Sequence, residues 1–154
     1  MSRVSASVVV SASLAEVWDY YFAPEGWPAW VDGFGRAGSS SGYPQVGGTL
    51  RWASAPAGRG EVTERVIEHE PRRLHRVAFE DPEASGELKT TFEIQGEGTL
   101  VRQELDYALL RGGPLARLTD VLFIRSQMRG SLERSLARLK LEVEEVAAPG
   151  ARPI

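Results

Sequence analysis

Two arginines set the first chemical question. At about 100° per residue, Arg125 and Arg129 fall within about 20° of the centre of an apolar stripe formed by Leu118, Leu132, Leu136 and Val143. A guanidinium buried without a partner is very costly. Two arrangements avoid that cost. In one, this half of the helix lies at an open rim, where arginine stems pack and their heads reach water. In the other, Arg125 points into a cavity toward a carboxylate, phenolate or enolate on a ligand. Strand-like segments supply further polar groups on apolar faces. In TLVRQELDY, Gln103 alternates in phase with Val101, Leu105 and Tyr107; in EVTERVIE, Glu64 shares a face with Val62 and Val66. An inward Glu64 can pair with Arg125 or act as a base, whereas a bulge or register slip would turn it to the surface. Tyr107 can donate a hydrogen bond to a ligand carbonyl, or pack in a core with its hydroxyl satisfied. His75, in phase with Val77 and Phe79, can act as an acid or base, but the sequence shows no partner for it.

Aromatic surface is concentrated in SLAEVWDYYFAPEGWPAWVDG, residues 13–33, which holds three of the four tryptophans. Trp18 reads as core. Trp27 and Trp30 follow the break at Pro24 and are placed to line the entrance of a pocket. Leu50 with Trp52, and Leu88 with Thr90, Phe92 and Ile94, add inward positions from two other strands.

Several chemistries are set aside. With no cysteine and only two histidines, His69 and His75, disulfides, thiolate sites and histidine-rich metal sites are excluded or improbable. A net charge of −3 gives no footprint for nucleic acid. The nucleophile-elbow, zincin, Walker and dinucleotide motifs do not occur, and the glycine-rich GRAGSSSG and AGRGE lack the strand-to-helix setting that cradles phosphate. The N-terminal apolar run, Val8 to Val10, is far too short for a signal-peptide core or a membrane span, so the cytoplasm is the expected compartment.

The elements that must position these residues follow from periodicity. Residues 3–11 alternate as a strand. Ser13 and Glu16 have capping-box spacing, so a helix starts there, with Leu14, Val17, Trp18 and Tyr21 on one side; a second short helix is placed near 25–32. From Phe34 to Leu110, turn-rich breaks separate TLRWAS, EVTERVIE, LHRVAFE, ELKTTFEI and TLVRQELDYALL, with a weaker strand at FGRAGS. That makes six or seven strands. GGP at 112–114 ends the sheet, and a helix over 115–146 follows, with Pro114 at its start. Gly130 within it marks a bend or a close contact. Arg129/Glu133, Arg138/Glu142 and Lys140/Glu144 have the spacing of i,i+4 ion pairs. The chain reads as one domain over 1–146 with a flexible tail, 147–154. One long helix is too narrow to fill a strongly curved sheet, so a space is expected between them.

In this order of elements, and in VWDYY…WPAW, VGGTLRW, VTERVIEHEPRRL, GEGTLVRQELDY and IRSQMRGSLERSLARLK, the chain resembles the START-like (SRPBCC) superfamily, especially its polyketide cyclase/dehydrase branch. The resemblance implies an α+β helix-grip fold, an antiparallel sheet wrapped around the C-terminal helix and enclosing a hydrophobic pocket. It also implies lipid, polyketide, hormone or quinone ligands, without fixing a catalytic set.

Three functions follow from this reading. The first is a carrier or sensor that binds a small hydrophobic or aromatic molecule through Trp30, Trp52, Glu64, Phe92, Gln103, Tyr107, Leu122 and Arg125, with no cofactor or metal. The second is a polyketide cyclase, aromatase or dehydratase using the same cavity, with Arg125, Gln103 or Tyr107 stabilising enolate charge. The third is an interaction module related to activators of a chaperone ATPase. Phe123 and Leu141 share a helical angle off the main stripe and could form an apolar homodimer patch. Because no base with an orienting partner is visible beside Arg125, binding without turnover is expected.

Overall fold

Alternating valines make Ser2–Val10 the first strand, β1, and the capping box forms as its spacing predicts. The Glu16 amide donates to Ser13 Oγ at 3.2 Å and the Ser13 amide to Glu16 Oε1 at 3.4 Å, starting helix α1, Leu14–Tyr21. A 3-10 turn at Pro24–Gly26 leads into α2, Trp27–Trp30. Six strands follow: β2 Phe34–Ser41, β3 Thr49–Ser54, β4 Glu61–Glu70, β5 Leu74–Glu80, β6 Ala84–Gln95 and β7 Gly98–Leu109. The last element is α3, Leu118–Ala147. These elements come from a computed structural model that describes residues 2–56, 59–110 and 118–148. The expected helix start at 115, the Pro114 first turn and most of the tail lie outside the described residues.

All strand pairs are antiparallel, in the order β1-β7-β6-β5-β4-β3-β2. β1 and β2 are therefore neighbours in sequence at opposite edges of the sheet, and the two short helices carry the chain from one edge to the other. α3 packs on β1 and α2 through buried Leu132, Leu136, Leu139 and Val143. Leu136 and Leu139 are fully buried, so cutting either to alanine should cost about 2–5 kcal/mol.

β2 is the strand with the weakest hydrophobic signal, and the structure gives the reason. It is an exposed edge whose pairing with β3 shifts register twice. A Cβ on Gly35 or Gly38 would meet β3 carbonyl oxygens at 2.7 or 2.8 Å, so glycine is required where the two backbones approach. β4 carries a further irregularity between Val66 and Glu68. It falls after Glu64, which therefore stays in phase with Val62 and Val66.

Polar contacts on α3 differ in part from the i,i+4 expectation. Lys140–Glu144 forms at 2.7 Å, and Lys140 also donates to the Val9 carbonyl. Arg129–Glu133 is not among the ion pairs of the described residues. Arg138 leaves Glu142 and joins Arg134 on Asp32, just beyond α2, at 3.2 and 3.1 Å. Ser131 Oγ donates to the same carboxylate at 2.8 Å, and the Asp32 amide donates to Ser135 Oγ at 2.8 Å. Gly130 shows a close contact of one kind: an added Cβ would meet the Arg134 guanidinium at 3.0 Å, with no backbone from another element in reach.

Burial opposes ionisation of Asp32, but the hydrogen bonds of Arg134 and Ser131 and the charges of Arg134 and Arg138 outweigh it and hold its pKa below the usual carboxylate value. A depressed folded pKa gives stability that is present above the unfolded value, near 3.9, and lost as pH falls through the folded one. Both arginines are about half exposed, so the contribution is discounted for solvent screening. Asp32→Ala should therefore lower stability by about 1–2 kcal/mol at pH 7, and by less at pH 3. Urea unfolding at both pH values checks this; equal stability of variant and parent at pH 7 would show that the clamp does nothing.

Candidate functional site

Between the concave face of the sheet and the helices lies a cavity of about 150 Å³. Its walls follow from strand alternation: Leu50 and Trp52 on β3, Val62 and Glu64 on β4, His75, Val77 and Phe79 on β5, Leu88 and Thr90 on β6, Gln103 and Leu105 on β7. α3 contributes Met128, Ser131, Leu132 and Ser135. The short helices contribute Tyr21, Trp27 and Trp30, and the turn before β3 contributes Tyr43.

Three polar groupings interrupt this apolar and aromatic lining. On the floor, the Tyr21 hydroxyl and Thr90 Oγ1 lie 2.9 Å apart, and Gln103 Nε2 donates to both at 3.2 and 3.3 Å. Burial pushes the Tyr21 phenol up to about 12, against the hydrogen bonds from Thr90 and Gln103. On one wall, Glu64 Oε2 accepts from Trp52 Nε1 at 2.7 Å. Glu64 is half-buried and lines the cavity. Burial raises its pKa, opposed by the Trp52 hydrogen bond and the Arg59 charge. Beside it, the Tyr43 hydroxyl lies 3.4 Å from His75 Nε2, and His75 Nδ1 lies 3.0 Å from His69 Nδ1. Burial, then the charge of His69, lowers the His75 pKa to about 3, so His75 is neutral at ordinary pH. Burial, then the charges of Glu64 and Tyr21, holds the Tyr43 phenol well above its usual pKa.

The other charges that line the cavity are already paired. Asp32 is held by Arg134 and Arg138, and Arg59 Nε meets the buried Asp81 at 2.7 Å while its guanidinium covers Trp52 and Phe79. Among the described residues Glu64 has no ion pair. The tryptophans differ in a similar way. Trp27 Nε1 donates to the Tyr21 carbonyl at 2.9 Å, but Trp30 Nε1, buried in the cavity wall, has no partner among the described residues. A buried orphan N–H costs about 1–3 kcal/mol unless something accepts from it. Among the described residues, no group of three or more histidines, aspartates or glutamates could hold a metal ion.

Of the eight residues singled out from the sequence, Trp30, Trp52, Glu64 and Gln103 line the cavity. Phe92 and Tyr107 are buried but stand outside the lining. Phe92 lies behind the wall, edge-on to Trp18 and Tyr21 at 4.9 and 5.2 Å. Tyr107 is displaced along β7, opposite Ser2 and Gly86. Leu122 is 56% exposed and Arg125 is also exposed, and neither lines the cavity. Their placement in the pocket is corrected on physical grounds. Arg125 does share the angle of Leu132, but seven residues along a helix is roughly 10 Å, which carries it past the cavity mouth. Leu122 lies further still. The arginine conflict thus resolves at the rim. Ile94, at the end of β6, is 69% exposed.

Sequence reasoning passed over Tyr43, Tyr21 and Arg59 as cavity groups. Tyr43 sits in a turn between glycines, where no alternation marks a facing side. A tyrosine in such a turn was the available signal.

The sheet, its gripping helix and the enclosed cavity define a START-like helix-grip domain. The chain belongs to the family described as polyketide cyclase / dehydrase and lipid transport, which it matches over residues 1–144. No curated protein matches it significantly. Solved structures with the same fold include a START superfamily protein from Mycobacterium smegmatis, at 16% identity and TM-score 0.74, covering 94% of this chain and 98% of that one. A protein from Rhodobacter sphaeroides aligns at 20% identity and TM-score 0.69, covering 94% and 93%. Norcoclaurine synthase from Thalictrum flavum, in complex with dopamine and hydroxybenzaldehyde, aligns at 17% identity and TM-score 0.68, covering 96% and 89%. At these identities the likeness is one of fold. No helix among the described residues is long and apolar enough to cross a membrane.

Glu64 yields a test of the site's electrostatics. A carboxyl whose folded pKa is raised binds more protons folded than unfolded, so stability falls as pH rises above the unfolded value, near 4.3. Glu64→Gln keeps an acceptor for Trp52 and removes that charge. It should make the protein more stable than the parent at pH 7, with the difference closing below about pH 4. Denaturant midpoints across that range measure it, and a variant weaker than the parent at pH 7 would contradict a strained carboxylate.

Proposed function

We propose that the protein binds a small, neutral, single-ring molecule in this cavity, as a carrier or sensor. The observation that carries the reading is Trp30 Nε1, a buried donor without an acceptor in the wall of an aromatic cavity. A ligand oxygen would supply the acceptor. The volume supports a small occupant: an apolar cavity of about 150 Å³ takes up a benzene-sized molecule, below the roughly 300–1,000 Å³ common for larger ligands. The charge pattern supports a neutral one. Among the described residues Glu64 is the lining charge without an ion pair, Arg59 is taken by Asp81, and Arg125 stands at the rim, which disfavours a carboxylate.

A second reading, an enzyme of the cyclase or dehydratase type, draws support from Glu64, Tyr43 and His75, three ionisable groups facing one small space. An interaction module is less well supported, since a filled core would have suited it better.

Titration of tryptophan fluorescence with acetophenone and with benzoate at pH 7 tests the first reading, because Trp27, Trp30 and Trp52 surround the site. Acetophenone should bind at least about tenfold more tightly, a difference of about 1.4 kcal/mol. Trp30→Phe should weaken acetophenone by about 2- to 12-fold, the loss of one hydrogen bond. Equal binding of benzoate, or no response to acetophenone, would remove the basis for a neutral-ring site.

A further inference from the structure

Glu64 and the Tyr43–His75–His69 chain meet at the same cavity from different elements. Tyr43 comes from the turn before β3, Glu64 and His69 from β4, and His75 from β5, where it pairs across from His69. Each has a defined partner: Trp52 Nε1 holds one oxygen of Glu64 at 2.7 Å, and His75 Nε2 faces the Tyr43 hydroxyl at 3.4 Å. Hydrogen bonds of this kind are often long before substrate binds. His75 Nδ1 is engaged by His69 Nδ1 at 3.0 Å, and His69 is half-exposed, packed against Trp18 and Phe22. Two neutral imidazoles that share one hydrogen bond between Nδ1 atoms must adopt complementary tautomers. If His69 donates, His75 carries its proton on Nε2 and donates to the Tyr43 oxygen, leaving the Tyr43 proton free to point into the cavity. The carboxyl of Glu64, on the cavity side, favours that orientation of the phenol proton.

We propose that this cavity catalyses keto–enol proton transfer on a small carbonyl compound, with Glu64 as the base at carbon and Tyr43 as the acid at oxygen. The inference rests on the reading that the cavity holds a small neutral ring. In the step, the Glu64 carboxylate takes a proton from the carbon beside the carbonyl. The electrons of that C–H bond form the new C=C bond, the C=O π pair moves to oxygen, and the oxygen takes the Tyr43 proton. The enol is formed without oxidant or co-reactant, and the reverse step restores both groups. His75 is a positioning residue that supports the Tyr43 oxygen as it gives up its proton, and His69 fixes the tautomer of His75. A raised Glu64 pKa suits this work, since a base is most effective when its pKa approaches the working pH. The raised Tyr43 pKa opposes transfer to oxygen, so the step depends on the His75 Nε2–H supporting the phenol oxygen.

The test follows deuterium entering the methylene positions of 2-indanone in deuterated buffer by proton NMR, with binding of the same compound measured by tryptophan fluorescence. Deuterium enters when Glu64, having exchanged its proton with solvent, returns it to carbon. The parent protein should accelerate exchange by about 100-fold or more over buffer. Tyr43→Phe and Glu64→Gln should each lose about tenfold to 100-fold of that acceleration while still binding 2-indanone. His69→Gln should lower the rate at saturating 2-indanone with its binding unchanged. Nitrogen-15 NMR of the parent should show His75 as the Nε2–H tautomer. Bound 2-indanone that exchanges no faster than in buffer would overturn the proposal and leave the binding reading standing. Both variants matching the parent, or the Nδ1–H tautomer at His75, would also overturn the assignment. If 2-indanone, a fused bicycle larger than acetophenone, does not bind, exchange into the methyl group of acetophenone is followed instead; bound acetophenone that exchanges no faster than in buffer overturns the proposal and leaves the binding reading standing.

Discussion

A sheet of seven antiparallel strands with one buried face needs a cover as wide as itself, and this chain supplies one long helix and two short ones. The mismatch is geometric. α3 can lie along only one line of the concave surface, and it takes the line beside β1, where Leu136, Leu139 and Val143 pack without space. On the side toward β3 and β4 the concavity is left to α2 and to large aromatic side chains. Proteins fill their interiors to crystal-like density wherever they can, so an unfilled volume of this kind must be held open by rigid walls. The chain meets that requirement with aromatic rings and with ties between elements. Asp32 is the main tie, joining the end of α2 to four side chains of α3.

Holding that space open shapes the chemistry of what faces it. Side chains in the lining lose water without gaining a full set of protein partners, which is why Trp30 has no acceptor and Glu64 no cation. Buried groups outside the lining, such as Asp81 and Thr99, are satisfied: Asp81 finds an arginine and two amides, Thr99 a carbonyl. Local inconsistencies of this kind in an otherwise consistent sequence are characteristic of functional sites.

Much of the fold was legible because strand and helix periodicities report which side of an element faces inward. Glu64, Gln103, His75 and Thr90 all turned out to lie on the faces their alternation indicated. Periodicity says nothing of how far along an element the site lies. Arg125 and Tyr107 were each given the right face and the wrong depth, one about two turns along α3 from Leu132 and the other four residues along β7 from Gln103. Depth is set by register, and register comes from long-range pairing, such as Val4 with Leu105, that no local window contains. The same blindness hid Asp32 with Arg138, whose partners are more than a hundred residues apart, behind an i,i+4 pair that local spacing favoured. Tyr43 escaped for another reason. It sits in a turn, where neither period applies.

The glycine-rich β2 has a bearing on how copies of this protein meet in solution. An open sheet has two edges, and a long, regular edge invites a second molecule to add its own strands. β2 closes off that route on its side. Its two register shifts break the row of evenly spaced amides and carbonyls that a neighbouring strand would need, and its serines and glycines offer little apolar surface to bury. Sheet-to-sheet growth through this edge is disfavoured, so the strand with the least to contribute to the interior helps keep a half-open, aromatic-walled molecule from assembling into fibres.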